Sequence, residues 1–76
     1  MVNVRNTFSD PMIVRFDDGR GPRLLGTVPA GGTERFVVAS PSQPQVTIIA
    51  VSEDGGRQTS IPVTLQLGVA VTVVLA

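Results

Sequence analysis

The stretch Val46-Thr47-Ile48-Ile49-Ala50-Val51-Ser52 decides the fold, because its apolar residues fall on both faces of an extended segment. It is too short for a stable helix, and its β-branched aliphatic residues favour an extended backbone. Pro44 precedes it and the Gly55-Gly56 pair follows it closely, so turns bound it on both sides. We therefore predict an inner strand from Val46 to Ser52 that is covered on both faces.

A second strand follows after a short turn. Glu53 to Arg57 has the residues of a tight turn, and the alternation of apolar and polar residues resumes from Thr59 to Leu65. These features predict a β-hairpin. Pro62 cannot donate a hydrogen bond to a central ladder, so the second strand is expected at a sheet edge or at a bulge.

Short apolar alternations recur along the rest of the chain, and turn residues separate them. With the hairpin, the predicted strands are Val2–Phe8, Met12–Phe16, Arg23–Val28, Thr33–Ala39, Val46–Ser52, Thr59–Leu65 and Val69–Ala76. Gly26 is expected to weaken the third strand and to mark a bulge. The stiff, polar loop from Ser40 to Pro44 is expected to carry the chain from one sheet to another.

These strand spacings, together with the lack of a helical period, predict an all-β fold. The expected architecture is an antiparallel β-sandwich of about seven short strands. It forms a single domain that spans residues 1–76. A small β-barrel is the alternative architecture.

The composition is that of a small domain with a thin core. A chain of 76 residues buries only about 60% of the surface that its unfolded state exposes. The hydrophobic fraction is 42%, the charged fraction is 16%, and no cysteine is present to form a disulfide. Because little charge keeps copies of the chain apart, we expect a homo-oligomer or a complex with another protein.

Charge and aromatic content argue against two other kinds of partner. Six arginines balance six acidic residues, so no long-range field attracts nucleic acid or an anionic membrane. Phe16 and Phe36 are core candidates, which leaves Phe8 as the remaining ring on which a base could stack. No run approaches the roughly 20 apolar residues that cross a bilayer. We expect neither nucleic-acid binding nor a membrane-spanning segment.

Enzymatic activity is not expected from the residue types present. The chain has no histidine, cysteine or lysine, so the usual nucleophilic triads have no proton acceptor. Zinc, haem and iron-sulfur sites commonly need histidine or cysteine ligands. We therefore predict no catalytic residue, no cofactor and no such metal site.

Calcium is the metal to consider for the paired acidic residues of the turns. Asp17-Asp18 and Glu53-Asp54 both lie in predicted turns, where carboxylate oxygens could collect around a hard cation. Neither pair has the spacing of a calcium loop, and turn geometry by itself explains an Asp-Gly step. The sequence leaves calcium binding open.

The segment Leu25-Gly26-Thr27-Val28-Pro29-Ala30-Gly31, followed by the apolar run Phe36-Val37-Val38, resembles small bacterial envelope β-domains of the transthyretin-like or carboxypeptidase-regulatory type. In such domains a G-x-V-x-x-G turn precedes a strand that ends in apolar residues. The opening residues Val2 to Asn6 are similar to the start of such modules in exported proteins and lipoproteins. The resemblance implies a sandwich without catalytic residues that serves as an accessory or interaction module at the cell envelope.

The predicted function is that of a non-enzymatic structural or protein-interaction module that associates with itself through apolar strand faces or edges. The candidate interaction residues are Val69, Val71, Val73, Leu75, Ile13 and Val37. The alternative is a module that binds a small ligand or carbohydrate with loops at one end of the sandwich, namely Asp17 to Pro22 and Glu53 to Arg57. The lack of tyrosine and tryptophan, on which sugars commonly stack, weakens that alternative.

Overall fold

A computed structural model of the chain describes residues 1–38, 43–66 and 68–75. The described residues form seven strands and no helix, which confirms the predicted all-β class. The strands are β1 (Val2–Asn6), β2 (Met12–Asp17), β3 (Pro22–Val28), β4 (Thr33–Phe36), β5 (Gln45–Ser52), β6 (Gln58–Thr64) and β7 (Val71–Leu75). No helix in this part of the chain is long and apolar enough to cross a membrane.

The strands form two sheets, in the orders β4-β1-β7 and β3-β2-β5-β6. In the described ranges these sheets do not close into a barrel, so the sandwich is confirmed over the alternative. One pairing differs from the antiparallel prediction, because β1 and β7 run parallel. The whole chain separates these two strands, which gives room for the crossover that a parallel pair needs.

The hairpin predicted around the central strand is present. β5 lies between β2 and β6 and is an inner strand, and β6 with Pro62 is an edge strand, as predicted. The prediction that β5 is covered on both faces is wrong. Val46, Ile48 and Ala50 are buried between the sheets, whereas the opposite face of the strand is only half-buried.

A β-bulge interrupts the pairing of β2 with β3, as Gly26 predicts. Val14 lies opposite Gly26 and Arg15 lies opposite Leu24, so Leu25 is the extra residue. A Cβ atom on Gly26 would lie 2.7 Å from Cε1 of Phe36, a residue of the other sheet. The glycine therefore lets the two sheets approach closely at this point.

The core lies between the two sheets, and the first two strands contribute a large share of it. Met12, Ile48 and Leu75 are among its largest fully buried side chains. Besides the central hairpin and β7, β1 and β2 supply a group of buried residues: Val2, Val4, Met12, Val14 and Phe16. Each fully buried aliphatic side chain stabilises the fold by about 1.5–3 kcal/mol.

Several strands end earlier than predicted. β1 stops at Asn6, because its side-chain Oδ1 accepts a hydrogen bond from the N–H of Phe8 and turns the chain. β4 ends at Phe36, opposite the first residue of β1. The predicted ends at Ala39 and Ala76 lie outside the described residues, as do Leu67 and most of the Ser40 to Pro44 loop. β4 and β5, which that loop joins, belong to different sheets, as predicted.

Candidate functional site

Three exposed apolar side chains come together at one end of the three-stranded sheet. Met1, Val37 and Val69, here called the apolar patch, have 47%, 69% and 48% of their surface exposed. With Gly68 and Ala70 they line an open cavity of about 290 Å³. Such a concave apolar surface suits an anchoring side chain from another protein.

Strand pairing explains why the apolar patch forms. Val2 lies opposite both Phe36 of β4 and Val71 of β7, so Met1 lies one position further, beside Val37. Val2 is buried between the sheets, and side chains alternate along a strand, so Met1 projects from the outer face. The end of β4, the beginning of β1 and the approach to β7 thus share one outer surface.

The predicted interaction residues are divided between surface and core. Val37 and Val69 are exposed and belong to the apolar patch. Val73 and Leu75 are buried against the chain's own second sheet. Their side chains therefore offer no free surface to a partner while the domain is folded.

Val71 and Ile13 are neither fully buried nor fully exposed. Val71 is half-buried and packs against the core. Ile13 is half-buried on the outer face of the four-stranded sheet, opposite Val51. The interaction role assigned to all six residues stays a prediction.

Sequence reasoning missed three exposed apolar residues. Leu24 is 65% exposed on β3, an edge strand of the four-stranded sheet. Met1 was not a candidate, because only the pairing of β1 with its two neighbours shows that it lies beside Val37. Val74 is 48% exposed on the outer face of β7. The alternation along β7 already separates Val74 from Val73 and Leu75, and that signal could have identified it.

The buried carboxylate of Asp18 forms a second feature, at the β2–β3 turn. Asp18 Oδ2 lies 2.8 Å from a guanidinium nitrogen of Arg20 and 2.6 Å from one of Arg23. The hydrogen bond to Asp18 raises the pKa of the Arg20 guanidinium, and burial partly opposes this effect. The Arg23 guanidinium also lies over the ring of Phe16, 4.4 Å from its centre. These contacts make Asp18 a structural residue of the turn.

The two loops of the ligand-binding alternative lie at opposite ends of the sandwich, so the prediction that they share one end is wrong. Asp17 pairs with Thr47 at one end of β5, whereas Met12 pairs with Ser52 at the other end. The 17–22 loop follows Asp17, and the 53–57 loop follows Ser52. The two loops therefore do not line one common pocket.

The β5–β6 turn is held by hydrogen bonds around Ser52. The buried Ser52 hydroxyl donates to Asp54 Oδ1 at 2.6 Å and accepts from the N–H of Arg57 at 2.9 Å. The N–H of Gly56 also donates to Asp54 Oδ1. The hydroxyl of Ser52 first, and the N–H of Gly56 next, lower the pKa of Asp54. Within the described ranges, no three acidic side chains are grouped as a metal site would need.

Asn6 joins two of the connections between the sheets. Its side-chain amide donates to the carbonyl oxygens of Asp10 at 2.8 Å, Val28 at 3.2 Å and Pro29 at 3.3 Å. Asn6 is 1% exposed, so these bonds are shielded from water. No sequence pattern indicated this role, because asparagine in a turn is common.

The arginines of the described strands are divided between the two sheets. Arg5 and Arg35 belong to β1 and β4 of the three-stranded sheet, whereas Arg15 belongs to β2 of the other sheet. Arg23 is paired with Asp18. They do not form one basic stripe.

Comparison with known proteins leaves the chain without an assigned family. No family model, curated protein or solved structure matches it. The resemblance to transthyretin-like domains, and with it the expectation of a protein exported to the cell envelope, stays a prediction from the turn and strand residues quoted above.

Proposed function

We propose that the chain is a non-enzymatic interaction module whose copies associate through the three-stranded sheet. The apolar patch is the observation that carries this proposal. Single exposed hydrophobic residues are ordinary on a folded protein and need no explanation. Met1, Val37 and Val69 instead converge on one cavity, and burying them against a partner removes apolar surface from water.

The charge distribution supports association between identical copies. The formal net charge is zero, so no long-range repulsion separates the copies. Val74 adds a further exposed apolar side chain on the outer face of β7. A contact at this surface would bury apolar area in addition to the thin core that a chain of this length can form.

Sedimentation velocity from low-micromolar to near-millimolar concentration tests the proposal. The wild-type chain should sediment faster as its concentration rises. Val69→Asp places a charge in the apolar patch and should weaken the association about tenfold or more. Leu24→Asp is the matched control, since Leu24 is 65% exposed on an edge strand of the other sheet and should leave association unchanged.

Two results would overturn the proposal. One is a wild-type chain that stays monomeric over the whole concentration range. The other is an equal effect of Val69→Asp and Leu24→Asp, which would show that the association does not depend on the apolar patch.

A further inference from the structure

The two sheets end in four edge strands, and three of these carry features that hinder pairing with another strand. The edges in the described part of the chain are β4 and β7 of one sheet, and β3 and β6 of the other. Unpaired edge strands readily pair with other chains, and proteins commonly block them with charges, prolines, bulges or short length. β4 has four residues, and two of them, Glu34 and Arg35, are charged.

The two edges of the four-stranded sheet are also blocked. β3 begins at Pro22 and contains the bulge at Leu25. In β6, the N–H of Leu65 donates to the carbonyl of Pro44 on the β5 side. Backbone groups alternate in direction along a strand, so Val63 also faces β5 and Pro62 faces the free edge. Proline has no N–H, so the free edge of β6 lacks a donor at its centre.

β7 has none of these features. Its five residues, Val71 to Leu75, include no charge, proline or glycine, and its pairing with β1 has no register shift. The N–H of Val71 donates to the carbonyl of Met1, and the carbonyl of Leu75 accepts from the N–H of Thr7, both at 3.1 Å. The backbone groups of Thr72 and Val74 therefore point to the free edge.

We infer that a second copy of the chain binds at this edge, with the two β7 strands antiparallel around a twofold axis at Val73. This inference rests on the proposed function and identifies the contact through which the copies associate. In this register Thr72 lies opposite Val74 of the partner subunit. Each such pair exchanges two N–H···O bonds, and the symmetry repeats the pair. The result is one continuous sheet in the order β4-β1-β7-β7-β1-β4.

The strand complements itself, which favours a second copy over an unrelated partner. Thr72 and Val74 are both β-branched, and such pairs are favourable across antiparallel strands. β7 has no charged residue that would oppose its own copy. Val69 of the apolar patch lies two residues before β7, whereas Met1 and Val37 lie toward β1 and β4.

Charge variants at the two outward positions test the inference by sedimentation. Both side chains are exposed, so the fold should tolerate substitution. T72K/V74K places like charges directly opposite each other and should weaken association about a hundredfold. T72E/V74K places opposite charges in the same positions and should restore association to within about tenfold of wild type. Q58K/S60K is the matched control, since it adds the same charge at the same spacing to exposed residues of β6.

A cysteine pair gives an independent measurement that does not depend on the charge variants folding. The chain contains no cysteine, so any disulfide forms only between introduced residues. In the proposed register, the thiol at position 72 of one T72C/V74C copy lies directly opposite the thiol at position 74 of the other copy. This variant should form a covalent dimer under mild oxidation. In the V74C variant, the introduced thiol lies diagonal to the same thiol of the other copy, at about 7–8 Å. This variant should form far less covalent dimer.

The outcomes separate this inference from the proposed function. If the wild-type chain associates and T72K/V74K associates equally well, the β7 edge is not the contact, although the proposed function stands. A monomeric wild-type chain would overturn both. If V74C cross-links as readily as T72C/V74C, the twofold register at Val73 is wrong.

Discussion

The guanidinium of Arg23 lies 2.6 Å from the carboxylate of Asp18, whose side chain is fully buried at the end of the core. β2 ends at Asp17, and Asp18 falls on the same side of the chain as Phe16, which faces the other sheet. A charge at such a position is tolerated only when it is paired. Arg20 provides the second ion pair at 2.8 Å.

Replacing Asp18 by Ala should destabilise the fold. Both arginines lose an ion pair, but their side chains are 52% and 41% exposed, so water partly replaces the lost contact. The free energy of unfolding, measured in urea at fixed protein concentration, should fall by about 1–3 kcal/mol. Asp17→Asn is the control, because the amide oxygen can still accept from the N–H groups of Gly19 and Gly21. An equal loss for both variants would contradict a special role of Asp18.

Asn6→Ala should destabilise the fold through its hydrogen bonds. The variant removes the donor to three carbonyl groups and the acceptor for the N–H of Phe8, at a site that excludes water. The free energy of unfolding should fall by about 2–4 kcal/mol. Asn3→Ala removes an exposed acceptor of Arg35 and should cost less than about 0.5 kcal/mol. A small effect of Asn6→Ala would show that the loops hold their positions without it.

Much of the fold could be predicted from the sequence, because strand alternation and turn residues are local signals. They located all seven strands. Pro62 identified an edge strand because proline lacks a donor, and Gly26 identified a bulge because it has no side chain to pack. These inferences need no knowledge of which strands are neighbours.

Beyond the β5–β6 hairpin, strand neighbours were not predictable, because alternation says nothing about which distant strands pair. The parallel pairing of β1 with β7 and the approach of Met1 to Val37 both depend on contacts between distant parts of the chain. The sequence identified Val37 and Val69 as separate interaction candidates, but only strand pairing shows that they line the same cavity. The burial of Asp18 was hidden because Asp-Gly is explained by a turn alone.

Gly26→Ala should weaken the contact between the sheets. The new methyl group would lie 2.7 Å from the ring of Phe36, so the ring or the bulge must move. Such crowding costs about 1–3 kcal/mol of unfolding free energy. Phe36→Leu removes the ring edge, so Gly26→Ala should cost less in a Phe36→Leu background. Equal costs in the two backgrounds would show that backbone strain at Gly26, and not the ring, is responsible.

The ionised form of Asp54 should stabilise the fold in a pH-dependent way. The hydroxyl of Ser52, and next the N–H of Gly56, hold the pKa of Asp54 below its ordinary value of 3.8. The folded state therefore binds this proton less readily than the unfolded state. The stabilisation is complete above the ordinary value and is lost as the pH falls through the lower folded value.

Asp54→Asn tests this dependence, because the amide oxygen can accept the same two hydrogen bonds without the charge. The wild type should exceed the variant in unfolding free energy at neutral pH, and the difference should shrink as the solution is acidified below the folded pKa of Asp54. Urea unfolding at a series of pH values measures this difference in unfolding free energy between the wild type and the variant. Ser52→Ala removes the hydroxyl that donates to Asp54 and should weaken the pH dependence of the wild type. A difference for Asp54→Asn that grows on acidification would contradict the assigned direction of the shift.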